Sequence, residues 1–436
     1  MPSIKDQECY SDEWTRTNPD LILNLPTEPP ENREYQDHVL VDVTPGGDLL
    51  AIWTVVPKMD YSVYFSRSKD NGKTWTKPEV IDGPGPKPGQ VSQFGFPVIS
   101  KTGRIYCFYN KTTGFGTSGS GIILCKYSDD DGYTWIDGEV EIHYRRTKFD
   151  HPDPSVEPAC IIWQKPIRDS KGRHIVGLTR TTSEFVKRPS DASHMGGHPD
   201  RPGGRPWHRW LGECRSEFLR FDNIDEGPHP KDVKITWLPD SEDLISVPVT
   251  FEPQASEGMT FCQEPGIELL PDGRLFTEMR TTNGDIWYTV SDDDGHSWRQ
   301  TEVLRYKDNG DSILNPIAPT PIYRLQDGRY LLFLQNHDGF GYDGWGPRDL
   351  NSRRPQFISV GEYREGAHQP IWFSEPLLLF DTDKVGVFPN WLIWLSMYSS
   401  LTEKDGQRTL WYTDRKLFAL GKHITDEMLA PLKVPS

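Results

Sequence analysis

No stretch of the 436 residues approaches the ~20 consecutive apolar side chains that cross a bilayer, so a helical membrane span is excluded. Basic residues are also scarce: 48 Lys and Arg stand against 64 Asp and Glu, a formal net charge of −16. Nucleic acid and anionic membrane surfaces are therefore not expected partners, because a phosphate surface demands a basic face. A local cationic pocket for an acidic sugar remains compatible with that charge. The six cysteines, Cys9, Cys107, Cys125, Cys160, Cys214 and Cys262, include no Cys-x-x-Cys spacing. Neither a zinc site nor a disulfide framework is signalled, and buried free thiols are expected. No Ser/Gly-rich or charge-block linker divides the chain, so residues 1–436 read as one domain and, in solution, a monomer. The start, "MPSIKDQECYSDEW", lacks the apolar core of a signal peptide. The expected location is the cytoplasm, or outside the cell with a signal already removed.

What the chain does have is aromatic residues, 15 of them Trp, and repeats. "SKDNGKTW" (68–75), "SDDDGYTW" (128–135) and "SDDDGHSW" (291–298) share Ser-x-Asp-x-Gly-x-(Thr/Ser)-Trp. Each follows an alternating apolar run and precedes another short one, the pattern of strand, turn, strand. Here Asp can accept backbone N–H bonds, Gly can supply positive φ and Trp can fill the gap between sheets. A second repeat puts a tight Gly turn before a strand: "TPGGDLLAIWT", "SKTGRIYCFYN", "DSKGRHIVGLTR", "LPDGRLFTEMR", "LQDGRYLLFLQN" and, more loosely, "EKDGQRTLWYT". Together they define a unit of four strands, A to D. Units that cannot bury their faces alone and recur along a chain predict an all-β propeller. Six A–B hairpins are counted by Gly47, Gly103, Gly172, Gly273, Gly328 and Gly406. The long gap between Gly172 and Gly273 leaves room for another blade, so seven blades are favoured, with six as the alternative.

The strand order separates the two faces. If A runs down to the Gly turn and B returns, the acidic C–D turns share the bottom with the Gly turns, and the pocket must lie at the top. The acidic repeats are then turn reinforcement and not a metal or catalytic site. A-strand starts place His38, Phe94, Glu157, Glu264, Asn315 and Tyr398 on top. B-strand ends add Asn110, Lys111, Arg180, Arg280, Gln335, Asn336 and His337. Arg-Thr-Thr closes two B strands, at Arg180 and Arg280. The two arginines offer forks for a sugar carboxylate, and Glu157, Glu264, Asn110, Asn336 and His337 are candidate binding residues. No metal ligand set is read.

The boxes resemble the Asp-boxes (BNR repeats) of sialidase-like propellers over nearly the whole chain. "EPGIELLPDGRLFTEMR" is similar to the sialidase segment that carries an active-site Glu and a carboxylate-binding Arg, which maps these roles to Glu264 and Arg280. "YSSL" resembles the segment of the nucleophilic Tyr, which maps to Tyr398. The first sialidase arginine is replaced by His38, and the third falls on Arg353 or Arg354. A second resemblance runs through "DHVLVDVTPGGDLLAIWT" and "FGFPVISKTGRIYCFYNK", to α-L-rhamnosyl-1,4-D-glucuronate lyases and related hydrolases. It implies seven blades and removal of terminal L-rhamnose from glucuronic acid in gum arabic or arabinogalactan. The favoured expectation is such a lyase, with His38, Tyr398 and Arg280 catalytic: a His/Tyr pair would move the protons while arginine steadies the growing charge on the carboxylate. The alternatives are an exo-acting hydrolase of sialidase or rhamnosidase type and a non-catalytic glycan-binding propeller. No cofactor is required, and a propeller axis has room for a structural cation. A top-face insertion is expected at about 181–211, within "VKRPSDASHMGGHPDRPGGRPWHRW". A second loop, "FGYDGWGPRDLNSRRP", offers Tyr342 and Trp345 for sugar stacking.

Overall fold

A computed structural model describes residues 13–26, 34–56, 61–87, 89–113, 119–183, 185–186, 213–249, 260–339, 352–387 and 392–436. Six antiparallel sheets form among these residues, and each is a propeller blade. Blade 1 comprises Tyr35–Val43, Leu49–Val56, Ser62–Ser68 and Glu79–Asp82. Blade 2 comprises Ser92–Ile99, Ile105–Thr112, Gly121–Ser128 and Ile136–Asp137. Blade 3 is built on Ala159–Ile161, His174–Thr181, Cys214–Phe221 and Ile235–Leu238. Blade 4 has Glu268–Leu269, Leu275–Met279, Trp287–Ser291 and Glu302–Val303. Blade 5 is built on Ile322–Arg324, Tyr330–Leu334, Gln356–Tyr363 and Ile371–Phe373. Blade 6 joins Leu395–Lys404, Gln407–Asp414 and Phe418–His423 to the N-terminal strand Leu21–Asn24, which closes the ring.

The blade count corrects the favoured expectation from seven to six. The stretch between Gly172 and Gly273 holds the two outer strands of blade 3 and its connections, not another blade. The expected insertion at 181–211 lies almost wholly outside the described residues, as do Tyr342 and Trp345.

Why strands with a continuous apolar composition suit this fold is plain in blade 1. Leu49–Val56 is buried on every residue. Leu49, Ala51, Trp53 and Val55 pack toward blade 6 with Trp411 and Ala419, while Leu50 and Ile52 pack toward blade 2 with Ile105, Cys107 and Tyr109. A period of two sends alternate side chains into two different interfaces, so both sets must be apolar. Each junction between consecutive blades is filled in the same way by its own apolar cluster. Cys107, Cys125, Cys160 and Cys262 sit in these layers and Cys214 in a smaller cluster with Phe261 and Ile317; all five are free and buried, as expected of thiols used as small apolar side chains, and Cys9 lies outside the described residues.

The Asp-boxes are turn devices, and they also staple blades. In the box of blade 2, Asp130 accepts from the Thr134 backbone N–H and hydroxyl at 2.8 and 2.6 Å, and Ser128 Oγ accepts from Gly132 N–H at 2.8 Å. The next residue, Asp131, accepts from Gly46 N–H and the Thr44 hydroxyl, both 2.8 Å away in the Gly turn of blade 1. Asn71 donates to Asp405 in blade 6 and Ser170 of blade 3 donates to Asp294 in the same manner. The box tryptophans follow suit: Trp75 meets Trp411, Trp135 meets Phe65 and Trp298 meets Phe218, always in the preceding blade. The boxes therefore share the bottom face with the Gly turns.

Candidate active site

At the opposite end of the inner strands the backbone is bent. His38, Phe94 and Glu264 are non-glycine residues at φ of 53°, 58° and 51°. The ladder shifts register between Asp37 and Leu40 and between Gln93 and Phe96, so His38 and Phe94 lie in β-bulges. Such a conformation costs of order 1 kcal/mol or more and persists where surrounding structure enforces it. The enforcing bonds come from the preceding blade: Phe94 N–H donates to the Thr54 hydroxyl at 3.0 Å, and Glu264 N–H to the Thr179 hydroxyl at 2.6 Å. Blade 6 has the same irregularity between Ser396 and Ser400, around Tyr398.

Thr54, Thr179 and Arg280 occupy equivalent places, each seven residues after its turn glycine. Arg280 pairs with Gln263 just as Thr54 pairs with Asp37. Arg180 is one residue further along, and a one-residue offset turns a side chain to the other face of its strand. There it is fully buried, bonded to Glu217 and Asp150 at 2.6 Å and to the Arg145 carbonyl at 3.0 Å. The matching Arg-Thr-Thr triplets are thus out of register, and Arg180 holds a structural ion-pair network. Counting from the glycines would have found this.

The other four candidates make contacts of their own, Asn110 from the register of Arg280. Glu157 bonds His143 at 3.0 Å. Asn110 Nδ2 donates to the Gly119 carbonyl at 3.1 Å. Asn336 has left-handed backbone at the end of strand Tyr330–Leu334. His337 accepts from Gly339 N–H at 3.0 Å and donates Nε2–H to the Arg354 carbonyl at 2.9 Å, which fixes the segment that carries Arg353 and Arg354.

What does converge is Tyr398, Glu264, Arg280, His38 and Arg353. The Tyr398 hydroxyl donates to Glu264 Oε1 at 2.9 Å and receives Arg280 Nη1 at 3.3 Å, while Arg280 Nη2 pairs with Glu264 at 2.9 Å. Gln263 Oε1 holds the same guanidinium through Nε at 3.0 Å. The His38 ring stacks on Tyr398 at 4.3 Å and meets Phe94 edge-on at 4.6 Å, and Trp163 meets Tyr398 edge-on at 5.9 Å. Of the two arginines proposed for the third position, Arg353 belongs here, within the electrostatic reach of Tyr398, Arg280 and Glu264. Arg354 instead pairs with Asp381.

Burial dominates the protonation of this cluster. It pushes Glu264 and Tyr398 up, and it pulls Arg353 down. Burial works against the Arg280 charge too, but Glu264 and Tyr398 outweigh it and its pKa is raised. Burial lowers His38 to about 4, Asp37 opposing while Lys416 and Arg280 reinforce, so the imidazole is neutral at pH 7. Among the described residues several polar atoms make no hydrogen bond: both His38 ring nitrogens, of which Nδ1 lies 3.5 Å from Asp37, together with Glu264 Oε2 and Arg353 Nη2. Arg353 Nε donates to the Ile317 carbonyl, and among the described residues this guanidinium has no carboxylate ion pair. A buried cation left so is costly unless a ligand completes it. Sequence reasoning passed over two contributors altogether. Lys416, in the tight turn between the second and third strands of blade 6, is ion-paired to Asp37 and reaches 5.2 Å from the Tyr398 ring centre. Among the described residues no group of three or more His, Cys, Asp or Glu is arranged to hold a metal.

The BNR repeat-like domain family matches residues 47–406. This chain belongs to that family. A search of curated proteins finds no match. Among solved structures, this BNR-repeat chain is similar to a Hadza microbial sialidase, at 17% identity and TM-score 0.55, over 92% of this chain and 66% of the other. It is also similar to the intramolecular trans-sialidase of Ruminococcus gnavus, at 14% identity and TM-score 0.56, over 92% and 96%. An α-L-arabinanase of Penicillium chrysogenum matches at 13% identity and TM-score 0.52, over 94% and 98%. At these identities the likeness is one of fold, and the chemistry must be argued from the cluster itself.

Proposed function

We propose that the protein is a carbohydrate-active enzyme that cleaves a terminal sugar bearing a carboxylate, by way of a covalent bond to Tyr398. The observation that carries this reading is the Tyr398–Glu264 hydrogen bond of 2.9 Å beside Arg280, with Arg353, which has no carboxylate ion pair among the described residues, in the same cluster. A phenol is a weak nucleophile until a base takes its proton, and Glu264 is in place to do so. Tyr398 Oη then bonds the anomeric carbon as the glycosidic C–O bond breaks. The leaving oxygen takes a proton from His38. Burial is the main cause of the low His38 pKa and Lys416 and Arg280 reinforce it; the arriving carboxylate offsets these two charges and so raises the proton affinity of the ring. In the second half His38 takes the proton of the water or acceptor hydroxyl that attacks the anomeric carbon, the phenolate leaves, and Glu264 returns its proton to Tyr398. Arg280 steadies the phenolate in both halves. The arabinanase and sialidase neighbours are consistent with a glycan substrate.

A second reading rests on the neutral His38, stacked on Tyr398 with no ring hydrogen bond among the described residues: proton abstraction at C5 of a glucuronate with loss of terminal rhamnose from C4, a β-elimination. Incubation with sialosides and with gum arabic separates the two. Cleavage proceeding with a mass adduct on Tyr398, trapped with a fluorinated sugar, supports the first. Free rhamnose together with new ultraviolet absorbance from the conjugated alkene would replace it with the second. Y398F should lower turnover at least ~100-fold, the loss expected when a nucleophile or acid–base group is removed.

A further inference from the structure

Lys416 is placed unlike Arg280, which follows the second strand of blade 4. It comes from the connecting turn Asp414–Phe418 of blade 6, not from a strand end, and its backbone has φ of 51°. The Gln36 N–H donates to its carbonyl at 2.8 Å and the Gln36 amide donates to the Leu417 carbonyl at 2.7 Å, so blade 1 holds the turn in place. Its ammonium stands 5.3 Å from the centre of the Trp394 ring, and the Arg353 guanidinium stands 5.0 Å from the same centre. Trp394 is buried and is a shared platform for two cations from different blades. Lys416 is more open than Arg353, its side chain 20% exposed, and Asp37 is its carboxylate partner. Glu264 likewise partners Arg280. The formal charges of Arg280, Arg353 and Lys416 exceed those of Glu264 and Asp37 by one, with His38 neutral.

We propose that Lys416 determines specificity: with Arg353, whose guanidinium lies near the same Trp394 ring, it forms the subsite that selects the carboxylate of the sugar. This rests on the acidic-sugar reading above. The start of the first inner strand supplies a neutral His38, and the cation reaches in from the blade 6 turn instead. Asp37 keeps Lys416 from collapsing onto Glu264 while the site is empty and shares it when a second carboxylate arrives.

The test measures binding of N-acetylneuraminic acid and of D-glucuronic acid, each against its methyl ester, which keeps the shape and removes the charge. Wild type should bind at least one acid more than 10-fold tighter than its ester. K416M should reduce that ratio at least 10-fold with ester binding unchanged, and K416R should restore most of it. Met suits the position as well as Lys does, since both are unbranched side chains in the same backbone conformation. K416M leaves Asp37 unpaired beside the ligand, so D37N/K416M is measured too. A ratio that stays low in the double variant supports a direct contact by Lys416, and a ratio that recovers overturns it, since the loss was then repulsion by Asp37. A K416M ratio equal to that of wild type overturns the inference while the acidic-sugar reading stands. No preference for either acid in wild type removes that reading and this inference together.

Discussion

At the residue scale the site works by desolvation. His38 is buried, makes no ring hydrogen bond among the described residues, and titrates at about 4 against an ordinary 6.5. The native state thus binds fewer protons than the unfolded chain between those values, and its stability rises with pH there. The contribution is fully present above pH 6.5 and is lost as pH falls toward 4, an amount of about 3 kcal/mol. Urea unfolding at pH 7 and pH 4 should show H38Q losing about that much less than wild type on acidification. Equal losses would mean that burial does not hold the ring neutral as described. Burial acts on Glu264 in the opposite sense, raising it, so Tyr398 acquires its base only as the pH climbs past the ordinary carboxylate range.

At the scale of the element, turns decide register. Gly72 of the first Asp-box has φ of 84°, and a Cβ there would lie 2.3 Å from the Trp411 ring of blade 6. Gly47 has φ of 89° with nothing within 4 Å of an added Cβ. The two positions separate backbone strain from packing. G47A should cost about 1–2 kcal/mol, the price of a left-handed Ala, and G72A about 1–3 kcal/mol more than that, because Trp411 must also be displaced. Denaturant midpoints measure both, and equal losses would show that the box does not seat Trp411. His337 is a second case: its two ring bonds keep the Arg353–Arg354 segment in place, which makes it a positioning residue for Arg353.

At the scale of the whole molecule, closure is the weak point. Blade 6 takes its outer strand, Leu21–Asn24, from the other end of the chain, and the preceding residues complete it: the Thr17 and Tyr412 hydroxyls lie 2.8 Å apart, and Arg415 donates to the Glu13 carbonyl at 2.6 Å. Arg415 is 1% exposed, and the same turn carries Lys416. Removal of residues 1–26 should destabilise the protein by about 5 kcal/mol or more, from the apolar burial of Leu21 and Leu23 and the lost ladder bonds. A peptide spanning residues 13–26, added back in excess, should recover the midpoint of thermal unfolding. An unchanged midpoint after removal would mean that the ring does not depend on this strand.

Much of this was legible in the chain, because propeller repeats are local. Gly and Asp-x-Gly turns with period-two apolar runs specify blades wherever they occur, and the same order of strands separates the acidic turns from the pocket. Tyr398, Glu264, Arg280 and His38 followed from that geometry and from the family likeness. The number of blades did not, since the distance from Gly172 to Gly273 gives chain length and not pairing; the sheet of blade 3 decided it. Nor did Arg180, whose triplet copies that of Arg280 while its register differs by one residue. Arg353, Lys416 and Asp37 became one site only in three dimensions, because they come from blades 5, 6 and 1, and ring closure brings distant segments to a common axis. The sequence by itself determined which units repeat and which face carries Tyr398, Glu264 and Arg280. Tertiary structure decided which charges meet there, since burial and pairing depend on neighbours that no spacing records.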